Sequence, residues 1–158
     1  MVHASRTIKV NADPGKPKLT RDLVWRGLVM KAENPLPFVP VISKCTVRER
    51  SDNRLTREIV DKGDTIVEEV TFHPQRMVKF ERVSGRVLGT ILNEIIDDDD
   101  GDLALRFTFT LTVEGIAAGS TAESEFAANM EQGYLMAVAA TLKAMRKLAK
   151  ENALPAAS

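Results

Sequence analysis

One stretch governs what this chain can fold into. From Gly119 to Asn152 it reads as a single amphipathic helix of roughly eight turns. At 100° per residue, Phe126, Met130, Tyr134, Val138, Thr141, Leu142, Met145 and Leu148 share one broad side. Glu125, Asn129, Gln132, Lys143, Arg146, Lys147 and Lys150 share the other. At about 1.5 Å per residue this is a rod on the order of 45 Å long. Ser120 and Glu123 have the S-x-x-E spacing of a capping box, in which hydroxyl and carboxylate each take a free backbone N–H. Glu123 and Glu125 at the start, and Arg146, Lys147 and Lys150 at the end, suit the helix dipole. Asn152 and then Pro155 are its stop signals. Two features are unusual for a core helix. Gly133 lies in its interior, at about 1 kcal/mol relative to Ala. Tyr134 and Thr141 put hydroxyls in the middle of the apolar side. Either Gly133 permits close packing and the hydroxyls find core partners, or this face borders a cavity.

Such a rod needs a wide apolar surface to lie on, and strand patterns supply it. Residues from about 2 to 12 alternate, and Asp13-Pro14-Gly15 ends them. Thr20 caps a first helix, with Leu19 and Val24 as its hydrophobic staple. That helix carries Val24, Trp25, Leu28, Val29 and Ala32 and stops at Asn34-Pro35. The segment Pro35–Pro40 has room for only a short helical turn or an extended bend. Strands are then predicted over about 42–51, 54–62, 64–73, 76–83, 86–97 and 102–114. Their short separators permit only hairpins, so the sheet is antiparallel. The last strand alternates most cleanly: Leu103, Leu105, Phe107, Phe109, Leu111 and Val113 form one face. The strand over 86–97 is apolar on both faces, which leaves its inward side open. The expected class is α+β, a seven-stranded antiparallel sheet in the order β-α-α-β6-α, wrapped around the long C-terminal helix. The expected domain is one, over 1–158.

Several functional classes fall away. Net charge is zero, so no basic footprint points to nucleic acid. No stretch approaches the ~20 apolar residues that cross a bilayer, so no integral membrane association is expected. Cys45 is the single cysteine and Met1–Arg6 lacks the apolar run of a signal peptide; the expected setting is the cytoplasm. Cys45 itself reads as an inert, buried apolar group. His3 and His73 lack ligand spacing, so no metal and no cofactor are expected. The acid run Asp97–Asp100 fails as an EF-hand, because Ile96 and Phe107 would stand at ligand positions. It reads as a hairpin tip. No phosphate-binding glycine string and no G-x-S-x-G elbow occur.

What remains is charge inside strands. Arg57 falls on the face of Leu55 and Ile59, Glu68 on that of Ile66 and Val70, and Arg82 on that of Val78 and Phe80. If these faces point inward, the charges either pair across neighbouring strands in a partly wet cavity or reach water from strand ends.

The element order resembles the helix-grip fold of the START and birch-pollen-allergen-like (SRPBCC) superfamily. The strings Trp25–Leu28, Lys31–Pro35, Phe38–Pro40, Phe80–Gly85 and Leu88–Glu94 resemble the branch that includes acetylaranotin biosynthesis protein L-like proteins. The resemblance covers nearly the whole chain. It implies a hydrophobic cavity between sheet and helix, in a superfamily that spans lipid carriers, hormone receptors and polyketide cyclases. It implies no catalytic residue by position.

Three functions stay open. The first is binding of a small hydrophobic molecule, aromatic or lipid-like. Trp25, Phe38, Phe80, Phe107, Phe109, Met130, Tyr134 and Met145 would form the walls, and Arg57, Glu68, Arg82 and Thr141 would add polar handles. The second is a polyketide cyclase-, dehydratase- or isomerase-like enzyme in the same cavity, with Arg57, Glu68, Arg82 or Tyr134 as acid–base groups. The third is an interaction protein with a filled core. Either a monomer or a homodimer is compatible with the sequence.

Overall fold

The computed structural model describes residues 1–151. Its strands are β1 (Val2–Lys9), β2 (Ile42–Arg50), β3 (Arg54–Asp61), β4 (Asp64–His73), β5 (Met77–Ser84), β6 (Val87–Asp97) and β7 (Leu103–Val113). Two helices complete it, α1 (Arg21–Glu33) between β1 and β2, and α2 (Thr121–Lys150) after β7. The predicted stop at Asn152 and Pro155 lies outside the described residues.

All seven strands belong to one antiparallel sheet, in the order β1-β7-β6-β5-β4-β3-β2. Hairpins make β2 through β7 sequential neighbours, as their short turns require. β1 pairs with β7, from Val2 opposite Leu111 to Lys9 opposite Ala104. The chain therefore begins and ends its sheet on adjacent strands. The strand β6, apolar on both sides in sequence, turns Ile91, Asn93 and Ile95 inward. Gly89 is required there: its φ is +133°, and a Cβ would lie 2.1 Å from the Thr110 carbonyl oxygen.

Capping fixes where both helices begin. The Thr20 hydroxyl accepts from the Leu23 N–H, while Leu19 and Val24 are both buried beside it. The Ser120 hydroxyl accepts from the Glu123 N–H. The Glu123 carboxylate reaches back to the Gly119 N–H, one residue before the expected partner, and also takes the amino terminus of Met1. Asn34 closes α1 by donating its N–H to the Met30 carbonyl. The proline-rich segment that follows is a hydrogen-bonded turn, with Phe38 and Val39 both donating to the Pro35 carbonyl.

The core divides in two. A main cluster joins α1, the second half of α2 and the inner faces of β4 through β7. A small one, Ile42, Ile59 and Ile66, lies under the other end of the sheet, with Cys45 half-buried against it. Between the clusters the interior is not filled.

Candidate functional site: a cavity between sheet and helix

A cavity of about 230 Å³ lies beneath the first half of α2. Its lining comes from α1 (Lys31), the proline turn and the segment after it (Val39, Val41), Ile42 of β2, the inner faces of β3 through β7, and α2 from Phe126 to Thr141. The exposed lining residues, Val41, Lys62, Asp64, Asn129 and Gly133, mark its mouth. Gly133 stands over open space: a Cβ there would meet nothing within 4 Å. It is not a close-packing glycine, and the helix face it belongs to borders a cavity.

The floor carries the three strand charges. Strand register sets Arg57 opposite Glu68 and Glu68 opposite Arg82. All three side chains are buried, Glu68 to 1% exposure. The Glu68 carboxylate accepts from Arg57 at 2.7–2.8 Å and from Arg82 at 3.3 Å. Arg82 also reaches Asp61 at 3.3 Å. Arg57 donates to the Lys31 and Ala32 carbonyls, at 3.2 and 2.9 Å. These belong to the last turn of α1, whose carbonyls lack helical partners and carry the negative end of the dipole. The guanidinium also lies 4.9 Å from the Phe80 ring centre. Burial alone would raise the Glu68 carboxyl; the Arg57 charge, then Arg82 and the hydrogen bonds from both, outweigh it and hold it below the usual carboxylate range. The row is thus ionised and mutually satisfied across β3, β4 and β5.

The deep end is different. Lys31, Asn93 and Thr141 are all at least nine-tenths buried. The Lys31 ammonium donates to Asn93 Oδ1 at 2.7 Å and lies 5.4 Å from the ring centres of both Phe80 and Phe107. Burial pushes Lys31 down to about 7; the Arg57 charge adds to that push and Glu68 opposes it. The Thr141 hydroxyl donates to the Ala137 carbonyl one turn back. The Tyr134 hydroxyl has no hydrogen-bond partner among the described residues. Burial pushes its phenol well above the usual range, so it stays protonated at neutral pH and can donate a hydrogen bond.

Of the residues expected from sequence, the cavity brings together Arg57, Glu68, Phe80, Arg82, Phe107, Met130, Tyr134 and Thr141. Four expected residues are elsewhere. Trp25 packs edge-on against Phe72, 6.3 Å between centres, inside the main cluster. Phe38 is carried into that cluster by its turn, which leaves Val39 to the cavity wall. Phe109 lies against the Tyr134 ring at 4.8 Å without reaching the cavity. Met145 fills the crossing of α1 and α2, against Gly27. Sequence reasoning missed Lys31 and Asn93. The spacing Val24-Leu28-Lys31 puts Lys31 on the buried side of α1, a signal that was available. Asn93 lay in the strand whose inward side was open.

The other candidate chemistries do not assemble. Asp98, Asp100 and Asp102 converge at the β6–β7 turn, and the Lys9 ammonium bonds all three at 2.9 Å, where a cation would otherwise be held. The Cys45 thiol is raised by burial and makes a long contact to the Glu33 carbonyl. Among the described residues, no helix is long and apolar enough to cross a membrane.

Comparison with known proteins agrees with this architecture. The profile of the family described as Acetylaranotin biosynthesis cluster protein L (AtaL) matches residues 4–152. No curated protein matches the chain in sequence. Among solved structures, the Zhui aromatase/cyclase from Streptomyces sp. R1128 superposes with a TM-score of 0.62 at 19% identity, over 94% of this chain and 93% of that one. The di-domain ARO/CYC StfQ from the steffimycin biosynthetic pathway gives 0.67 at 13%, over 96% of this chain and 52% of its own. Ara h 8.0201 gives 0.57 at 10%, over 92% and 95%. At these identities the likeness establishes the fold.

Proposed function

This chain belongs to the acetylaranotin biosynthesis cluster protein L family, and we propose that it binds a small, largely apolar ligand in the cavity beneath α2. The observation that carries this reading is the cavity itself, which is roofed by Phe126, Met130 and Tyr134 and floored by a fixed ionic row. Protein interiors otherwise close to crystal-like density, and a void this size is more than a few waters fill. Ligand sites are mostly apolar, with a few placed polar groups. At about 230 Å³ the space suits a ligand of one or two rings rather than a long lipid. The void counts against an interaction protein with a filled core.

A second reading is an aromatase/cyclase-like enzyme. The fold shared with Zhui and StfQ favours it, together with a protonated Tyr134 and with Lys31, pushed down to about 7, beside an apolar space. Such groups hold a developing enolate.

Native mass spectrometry of gently purified protein, followed by organic extraction, tests the first reading. A stoichiometric adduct in the mass range of one or two rings is expected. A bare mass, together with no thermal shift from a panel of small aromatic compounds, would overturn it. Turnover of a short poly-β-ketone would move the assignment to the enzyme.

A further inference from the structure

Four cationic and three carboxylate side chains line the cavity: Lys31, Arg57, Lys62 and Arg82 against Asp61, Asp64 and Glu68. Lys62 and Asp64 stand at the exposed mouth. Inside, Glu68 is taken by Arg57 and Arg82, and Asp61 by Arg82. Lys31 has no carboxylate partner among the described residues. Its one hydrogen bond goes to a neutral amide.

That arrangement is expensive unless something completes it. Burying a cation without a counter-charge costs several kcal/mol, which is why Lys31 is pushed down to about 7, and an anion beside it would restore the charge. A methionine would fill the same space with no such penalty. Instead the ammonium is cradled by groups that carry only partial negative charge: the Asn93 carbonyl and two phenyl faces. An ammonium has three N–H donors, and one is used here. Because an ammonium only donates, Asn93 must turn its oxygen toward it. That leaves Asn93 Nδ2, which is buried and has no partner among the described residues, as a further donor.

We propose that the deep end of this cavity takes an anionic oxygen of the ligand, a carboxylate or an ionised phenol or enol, held by Lys31 and Asn93. The apolar body of the ligand then extends past Phe107 and Tyr134 toward the mouth at Gly133. The inference rests on the cavity being a ligand site, and it narrows the ligand class from small hydrophobic molecules to small hydrophobic acids. The Arg57–Glu68–Arg82 row plays a different part. Its members are already satisfied by one another, so they shape the floor and leave the charge reading to Lys31.

The test compares naphthoate with naphthamide, two probes of one shape that differ in charge, by calorimetry at about pH 6, where the carboxylate is ionised. On the wild-type protein naphthoate should bind at least about tenfold more tightly, as a charge-assisted bond requires. In Lys31→Met that preference should vanish while amide affinity changes by less than about threefold. Asn93→Leu should give a smaller loss of the same sign. The wild-type chain supplies an independent readout: the Lys31 side-chain NMR signals should move with naphthoate and stay with naphthamide. Equal affinities on the wild type, or a preference that survives in Lys31→Met, would overturn the inference while leaving the cavity as a ligand site. Failure of both probes to bind would overturn both.

Discussion

The two halves of α2 present the same kind of apolar stripe to two different floors. Val138, Leu142 and Met145 are buried in the main cluster that α1 also enters. Met145 comes so close to Gly27 that a Cβ there would lie 2.7 Å from its Cγ. Phe126, Met130 and Tyr134 face no second helix. Below them is the ionic row on β3, β4 and β5, and the space between stays open. Periodicity says which side of a helix turns inward. What fills that side depends on the elements opposite, and here the difference between core and cavity is set by how far along α2 the first helix reaches.

The largest expected effect tests the hollow floor. In Glu68→Ala, Arg57 and Arg82 would remain buried without a counter-charge. The loss should be about 3–5 kcal/mol, read from urea unfolding. The pH dependence has a definite sign. Glu68 is held below the usual carboxylate range when folded, so its contribution is present above that range and is lost as pH falls through the folded value. Acid unfolding of the wild type should therefore be steeper than that of the variant. A loss below about 1 kcal/mol would mean that the row is solvated, and the contrast between the two floors would go with it.

Next comes a matched pair of truncations. Met145→Ala removes a fully buried side chain at the helix crossing and should cost about 2–5 kcal/mol. Met130→Ala removes a half-buried one that already borders empty space, and should cost less than about 1 kcal/mol. Ligand affinity should follow the opposite order, changing with Met130 and not with Met145. Equal stability losses would show that the two halves of α2 pack alike.

Much of this was legible in the sequence, and the places where it was not have physical causes. Hairpin turns left no freedom in the order of β2 through β7, though not in where β1 pairs, and the alternation of Leu103–Val113 gave the inward face of β7 directly. Gly133, Tyr134 and Thr141 stood out on α2 because polar and small residues interrupt an apolar stripe, but the pattern alone left core partners and a cavity both open, and all three line the cavity. Trp25, Phe38, Phe109 and Met145 were assigned to its walls because bulk and apolarity suit a core as well as a pocket. Only the third dimension separates them. Lys31 entered the sequence reading only as part of the string Lys31–Pro35, although its spacing from Val24 and Leu28 puts it on the buried side of α1. Asn93 was hidden by a strand with no polar face to orient it.

The smallest effect separates the two floors most cleanly, because it uses one chemical change at two glycines of two helices. Adding a methyl at Gly133 meets no atom within 4 Å and removes the backbone penalty of an interior glycine. Gly133→Ala should therefore stabilise the protein by about 0.5–1 kcal/mol in thermal or urea unfolding. Gly27→Ala carries the same propensity gain, yet its methyl must displace Met145, and the net effect should be destabilising. A larger side chain extends the logic from stability to function. Gly133→Leu should keep the fold and narrow the mouth, so the thermal shift given by a small aromatic ligand should shrink while the unliganded melting temperature holds. If Gly133→Ala destabilised instead, α2 would have to lie closer to the sheet than this structure has it, and the space beneath Tyr134 would be too shallow for any ligand.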